Sequence, residues 1–78
     1  LDENSAFGIV KLLAELKKYR LAMAKELSVA SYMIATNATL INLAAVKPKT
    51  QEDLLLVNGI GKKKAEAFGE DFLNIINH

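Results

Sequence analysis

The sequence predicts an all-α fold, a small single-domain bundle of five helices. Apolar residues recur at spacings of three and four through most of its 78 positions, and no segment alternates apolar and polar residues as a half-buried strand does. Residues that favour helix starts and stops divide the chain into five segments. A chain of this length can bury only one core, so residues 1–78 are expected to form one domain.

The first helix is predicted over residues 7–27, which contain no proline. Asn4 and Ser5 are candidate N-caps, because their side chains can accept hydrogen bonds from the first free amides. The spacing places one apolar stripe along the helix, which indicates a long helix packed against the rest of the bundle. The stripe contains Ile9, Leu12, Leu16, Tyr19, Met23 and Leu27, with Leu13, Arg20 and Ala24 at its edge.

A short second helix is predicted over residues 32–35, after residues 28–31 interrupt the periodic pattern. Asn37 is the predicted N-cap of a third helix over residues 38–46. Pro48 closes that helix, because the residue before a proline avoids helical geometry. The residues expected to face the core are Leu40, Leu43 and Ala44.

A fourth, short helix is predicted to start after Thr50 and to end at about Val57. Thr50 is its N-cap, and Asp53 stands three residues later, in the position of a capping-box acid. We expect Leu54, Leu55 and Val57 to pack inward.

The turn Gly59-Ile60-Gly61 leads into the last helix and forms a helix-turn-helix hairpin with the fourth. Gly69 is expected to kink or break this helix, because glycine weakens a helix interior. Its buried residues are predicted to be Ala65, Phe68, Phe72, Leu73 and Ile76. The core as a whole is expected to be dominated by Leu12, Leu16, Met23, Leu43, Leu54, Phe68 and Phe72.

The composition limits the possible functions. The net charge is only +1, so any basic binding surface must be local. The chain has no cysteine, its one histidine is the terminal His78, and no HExxH, Walker, Ser–His or Cys–His pattern is present, so no catalytic residue, metal or cofactor is expected. No apolar run approaches the roughly 20 residues that cross a bilayer, so no membrane partner is expected. The chain begins at Leu1 without a methionine, which suggests a piece of a longer protein.

The glycine turn and the lysines that follow it form one candidate site. Gly59 and Gly61 let the backbone turn tightly, and the first amides of the next helix are free to meet a phosphate. Lys62, Lys63 and Lys64 add positive charge, although they fan over about 200° of the helix and cannot serve one ligand equally. The same features also suit a plain helix–helix turn. Acids that weaken a positive patch here are Glu66, Glu70 and Asp71.

Four motifs stand in order along the chain, namely Val29-x-x-Tyr32, Asn37-Ala38-Thr39-Leu40-x-x-Leu43-Ala44, Pro48-x-Thr50 and Val57-Asn58-Gly59-Ile60-Gly61-x-x-Lys64-x-x-x-Phe68-Gly69-x-x-Phe72. Together they resemble the HRDC domain, the helicase and RNase D C-terminal domain, which is a five-helix module. The similarity runs from about residue 12 to residue 76, and it is greater to the RecQ-type helicase version than to the RNase D version. The family often has a proline just before the position of Tyr32, where this chain has Ala30-Ser31.

The resemblance implies an accessory domain, excised from the C-terminal part of an intracellular RecQ-type DNA helicase, cytoplasmic in a bacterium. It implies weak binding of single-stranded or branched DNA by a monomeric domain that helps target the helicase in repair and recombination. In the family an aromatic residue at the position of Tyr32, with nearby basic residues, contributes in some members, and the turn before the last helix contributes in others. Stacking of Tyr32 on a base, with phosphate contacts from Lys17, Lys18 and Arg20, is therefore the predicted mechanism.

Each of these residues also has a structural interpretation. Tyr32 suits a half-buried packing role on the first helix, and Lys17 and Lys18 suit a solvated face. Arg20, at the edge of the apolar stripe, suits a structural ion pair. Two other functions remain open: an RNA-binding accessory domain of an RNase D-like exonuclease, and a protein-interaction module without a nucleic-acid role.

Overall fold

A computed structural model of the chain describes residues 6–77, and those residues form five α-helices without a strand. The all-α prediction is therefore confirmed. The helices are α1 Ala6–Leu27, α2 Ser31–Ile34, α3 Asn37–Val46, α4 Gln51–Leu55 and α5 Lys62–Asn77.

The domain measures 38 × 23 × 20 Å. α3 and α5 pack along α1, α2 packs on its C-terminal part, and α4 packs on α5. α5 is antiparallel to α1, because the Tyr19 hydroxyl meets Asp71 while the start of α1 shares a groove with Asn74 and Ile75.

The core lies where α1, α3, α4 and α5 meet. Four of the residues predicted to dominate it, Leu16, Leu43, Leu54 and Phe72, are fully buried. Leu12 and Phe68 are partly buried and pack against that cluster. Full burial of an aromatic or leucine side chain contributes about 1.5–3 kcal/mol relative to exposure, so these contacts dominate the stability of the domain.

Three expectations about burial were wrong. Leu27 is half-exposed, because it lies in the last turn of α1, where the helix leaves the bundle. Leu55 is also half-exposed, because α4 has five residues and only its Leu54 side faces α5. Met23 is partly exposed rather than a core residue.

The cap predicted at Asn37 is displaced by one residue. Thr36 is the N-cap of α3, and its hydroxyl accepts a hydrogen bond from the Thr39 amide at 3.2 Å. Asn37 is the first helical residue. The sequence offered two adjacent polar residues, and threonine has the extended backbone that an N-cap needs. The predicted N-caps of α1, Asn4 and Ser5, lie outside the described residues.

The N-cap of α4 is the predicted residue. The Thr50 hydroxyl accepts from the Asp53 amide at 3.1 Å. The Asp53 carboxylate accepts from the Lys49 amide at 3.2 Å, one residue before the amide that a capping box uses. Asp53 thus holds the residue before the N-cap through its carboxylate, and its own amide is held by the N-cap hydroxyl.

Gly69 does not break the last helix, contrary to expectation, since α5 is continuous over all 16 residues. The glycine is buried, and a β-carbon there would meet the side chains of Gln51 and Leu54 at about 2.9 Å. The lack of a side chain therefore lets α4 approach α5 closely. Packing with α4 offsets the weakness of glycine in the helix interior.

Candidate nucleic-acid interface

Tyr32 is held outward by a short helix that is anchored from behind. Ile34 and Ala35 are buried against the bundle, and this fixes α2 on α1. Tyr32 and Met33 point the other way and are 68% and 56% exposed. The alternative interpretation of Tyr32, a half-buried packing residue, does not fit this exposure. The ring is free to stack on a flat partner.

Arg20 holds the C-terminal end of α2. Its guanidinium Nη1 donates a hydrogen bond of 3.1 Å to the carbonyl oxygen of Ala35, the C-cap of α2. The structural partner is therefore a backbone carbonyl and not the acid that the sequence suggested. An arginine has five donors, so the same group can hold α2 and still present N–H groups outward.

Lys17 and Lys18 lie in the middle of α1, and both are exposed. Successive residues on a helix are about 100° apart, so they face different directions. Lys17 is three residues before Arg20 and shares its side of the helix. Lys18 points away from the bundle. The structure thus separates two residues that adjacency in the sequence had grouped.

The Gly59 turn is fixed on α3. Gly59 has a φ of +99°, and a β-carbon there would overlap the side chain of Thr39. Thr39 is itself buried, and its hydroxyl is 2.9 Å from that of Thr36. One residue before the glycine, the Asn58 carbonyl accepts from the Asn42 amide group at 3.2 Å. The turn and the first part of α3 are therefore one packed unit.

Gly61 differs from Gly59. It has no positive φ, it is exposed, and nothing lies within 4 Å of where a β-carbon would be. Its carbonyl accepts from the Ala65 amide at 2.9 Å, so it stands at the N-cap of α5, a position that glycine tolerates. The fold therefore explains Gly59 fully and leaves the face of Gly61 open.

The three lysines that follow are not equivalent. Lys62 and Lys63 are exposed at the start of α5, and Lys64 is partly buried. Lys64 is four residues before Phe68, which packs against the core, so its aliphatic stem covers apolar surface. The three lysines face different directions, as expected, and only Lys62 and Lys63 are fully exposed to a ligand.

Two acidic side chains, Asp71 and Glu26, lie near Tyr19 on the seam between α1 and α5. The Tyr19 hydroxyl donates a hydrogen bond of 2.7 Å to the Asp71 carboxylate. Burial raises the pKa of Tyr19 well above its ordinary value, and the bond to Asp71 and the charges of Asp71 and Glu26 raise it further. Glu26 therefore lies on the α5 side of α1, and Asp71 is engaged with Tyr19.

The structure brings Tyr32 and the glycine turn to the same end of the bundle. We define the α2 end as residues 28–37 together with residues 58–63. α2 follows directly after α1, and Thr39 joins the start of α3 to Gly59. Lys62 and Lys63 precede Asp71, the residue level with Tyr19, by about two turns or more and so lie toward the C-terminus of α1.

The opposite end of the domain carries an open groove of about 690 Å³. We call it the groove end. None of the predicted nucleic-acid contacts lies there. Its lining residues are Gly8, Lys11, Leu12, Glu15, Lys47, Asn74, Ile75 and Ile76.

The HRDC family profile matches residues 10–76, which is most of the chain. The chain belongs to the HRDC domain family. The predicted resemblance is thereby confirmed.

Known relatives of this HRDC domain include DNA helicases. The ATP-dependent DNA helicase UvrD2 of Mycobacterium tuberculosis is 39% identical over 66 residues, which is 85% of this chain and 9% of that protein. The ATP-dependent DNA helicase RecQ of Pasteurella multocida is 34% identical over 65 residues, 83% of this chain and 10% of that protein. The chain thus spans about a tenth of the length of these curated relatives.

A solved structure similar to this HRDC domain is D. radiodurans RecQ HRDC domain 3. The two share 39% sequence identity and a TM-score of 0.86, over 88% of this chain and 91% of that one. Both the fold and the similarity to the RecQ-type version agree with the sequence-based prediction.

The structure describes residues 6–77 of this HRDC domain, which include no histidine and no cysteine. The acids of this part include no group arranged to hold a metal ion. Its helices include none that is long and apolar enough to cross a membrane.

Sequence reasoning missed three residues that form or support the α2 end. Met33 shares the exposed side of α2 with Tyr32. Thr39 and Asn42 hold the glycine turn. Asn42 and Thr39 are three residues apart on a helix that is otherwise nearly all apolar, and that spacing was the available signal. Nothing local distinguished Met33 from a core methionine.

Proposed function

We propose that this HRDC domain is an accessory DNA-binding domain of an ATP-dependent DNA helicase, and that its α2 end binds single-stranded or branched DNA. Binding is weak and does not read base edges. The domain helps to place the helicase on its DNA in repair and recombination.

The observation that supports this proposal most is the exposed Tyr32 on an anchored helix. Because the helix that carries the ring is anchored, no backbone segment has to be ordered when a base stacks on it. Stacking on an aromatic side chain is worth about 1–3 kcal/mol per base and tolerates any sequence.

Electrostatic attraction is the second contribution. Lys62 and Lys63 lie exposed at the same end as Tyr32, and Lys17 lies on the Arg20 side of α1. With a net charge of +1, only such local groups can attract phosphates. We expect about two to four phosphate contacts. Gly61 leaves room for a backbone to approach beside them.

The test is fluorescence anisotropy of a labelled oligothymidylate over a series of salt concentrations. Each phosphate neutralised on a single strand contributes about −0.7 to the slope of log affinity against log salt. The proposal predicts a shallow negative slope, about −1.4 to −2.8. Absence of binding at low salt, or a slope of zero, would refute it.

An oligouridylate of equal length separates the alternative of an RNase D-like accessory domain. Binding of RNA in clear preference to DNA would favour that alternative over the helicase.

A protein-interaction role has one observation in its favour. The outer side of α3 exposes Ile41 and Val46 on a helix without a charged residue. If neither nucleic acid binds at low salt, this face becomes the better candidate surface.

A further inference from the structure

We infer that Tyr32 and the pair Lys62–Lys63 contact the same DNA strand, which crosses the α2 end of the bundle from one helix to the other. This inference rests on the proposed function. It goes beyond it, because the two regions then form one composite site rather than two alternative faces.

Both regions are fixed to the same part of α3. α2 leads into Thr36, the N-cap of α3, and Thr39 packs against Gly59 one turn later. The hydroxyls of the two threonines are 2.9 Å apart. Tyr32 and the start of α5 are therefore held at a fixed separation. A DNA strand that contacts both regions does not have to order either of them.

The residues next to each region are exposed. Asn37 and Gly61 are both exposed, and Gly61 has free space in place of a side chain. A strand that leaves Tyr32 can pass over these residues to Lys62 and Lys63. Glu26 is the acid of α1 nearest this end, and its charge acts on Tyr19 at the α1–α5 seam, whereas the route passes over the start of α3.

The remaining acids of α5 restrict the direction of the strand. Glu66 and Glu70 are exposed one and two turns after the lysine pair, on the same side of the helix. A phosphate chain that ran down the side of α5 would meet these carboxylates. A strand that crosses the end of the bundle toward α2 avoids them, so the charge pattern favours the composite site.

The dimensions of the domain set the length of the strand. The two shorter axes of the bundle are 23 and 20 Å. At about 3.4 Å per stacked nucleotide, a strand that crosses this end occupies at most about seven nucleotides. At the same rise, dT2 covers about 7 Å, less than half of either short axis, whereas dT8 covers the whole width.

The experiment is a two-dimensional NMR titration of the 78-residue chain with dT8 and with dT2. Wild type is compared with Tyr32→Ala, and Lys11→Ala at the groove end is the matched control. With dT8, the amides of Met33 and of Lys62–Lys63 should shift along one binding curve. In Tyr32→Ala, the curve at Lys62–Lys63 should move to about five-fold or more higher DNA concentration. Lys11→Ala should leave it in place.

The dT2 series shows whether the effect travels along the DNA or through the protein. If the site is composite, Tyr32→Ala leaves the Lys62–Lys63 response to dT2 unchanged. The inference is wrong if Tyr32→Ala leaves the dT8 curve at Lys62–Lys63 unchanged while DNA still binds, because the two regions are then separate sites. It is equally wrong if the substitution weakens the dT2 response there. No shift in wild type with either oligonucleotide refutes the proposed function itself.

Discussion

The two tyrosines of this HRDC domain have opposite environments. Tyr19 lies on the seam between α1 and α5, where its hydroxyl bonds to Asp71 and its ring meets Phe72 edge-on at 5.5 Å. Tyr32 lies on α2, and 68% of its surface is exposed. One ring is used in packing, and the other has little contact with the protein.

The difference lies in what surrounds each ring. Tyr19 is on the apolar stripe of a long helix, so a second helix covers it and supplies an acceptor for its hydroxyl. Tyr32 is on a four-residue helix whose buried side is already filled by Ile34. Tyr19 therefore stabilises the fold, and Tyr32 remains accessible to a ligand.

Among the substitutions at the α1–α5 seam, Phe72→Ala should lower the free energy of unfolding most. Phe72 is fully buried and touches the rings of both Tyr19 and Phe68. Loss of a buried phenylalanine leaves a cavity and costs about 3–5 kcal/mol. Urea unfolding should show this loss, and Phe68→Ala, at a partly buried position, should cost less. Equal losses would mean that the seam is not centred on Phe72.

Tyr32→Ala should have the opposite profile. We expect affinity for single-stranded DNA to fall by about 1–3 kcal/mol and unfolding to be unchanged within about 0.5 kcal/mol. Lys63→Ala should weaken binding less, because a single exposed phosphate contact is screened by salt and stacking is less so. Anisotropy at one stated salt concentration measures both. A larger effect from Lys63→Ala would place the main contact at the glycine turn.

The two glycines of the turn should also differ, because Gly59 is packed on α3 and Gly61 faces open space. Gly59→Ala forces a side chain into the left-handed region and against Thr39, so we expect a loss of about 1–2 kcal/mol of stability. Gly61→Ala meets open space and should cost less, about 0.5–1 kcal/mol, because alanine is a poorer N-cap than glycine. Thermal unfolding of the two variants tests this. Similar losses would contradict the packed turn.

Tyr19→Phe should give a smaller loss of stability than Phe72→Ala, and the loss should depend on pH. Removal of one hydrogen bond costs about 0.5–1.5 kcal/mol. The folded state holds the phenol proton more tightly than the unfolded state, because the pKa of Tyr19 is raised above its ordinary value of 10.0. Wild-type stability should therefore be full below pH 10 and should fall as the pH rises above it.

Tyr19→Phe should lack the loss of stability above pH 10 that comes from ionisation of Tyr19. Its unfolding free energy should approach that of wild type as the pH rises above 10, and Tyr32→Phe serves as the matched control. Parallel pH profiles for wild type and Tyr19→Phe would show that the bond to Asp71 does not contribute.

Helix number and order could be predicted from the sequence because apolar spacing and cap residues are local signals. Thr50 was identified because its partner Asp53 is three residues away. Gly69 was misread because its reason is a contact with α4, and periodicity does not show which helix lies opposite a glycine. Leu27 and Leu55 were misjudged for a related cause, since neither pattern tells where the neighbouring helix ends.

The sequence proposed the residues of the candidate site but not how they lie relative to one another. Tyr32 came from the family motifs, and Lys62 and Lys63 came from the charge that follows the glycine turn. Their location at one end of the bundle depends on the contact between Thr39 and Gly59, which are 20 positions apart in sequence. No local pattern predicts such a contact, and for that reason the two regions looked like alternatives.

The most direct test of the outward role of Tyr32 uses tyrosine fluorescence. The chain has two tyrosines and no tryptophan, so Tyr19→Phe leaves Tyr32 as the sole emitter and Tyr32→Phe leaves Tyr19. Stacking on a base quenches a tyrosine ring. Addition of dT8 should quench the emission of Tyr19→Phe in a saturable, salt-dependent manner, and it should leave the emission of Tyr32→Phe nearly constant. Quenching of Tyr32→Phe alone, or of neither variant while anisotropy reports binding, would contradict a stacking role for Tyr32.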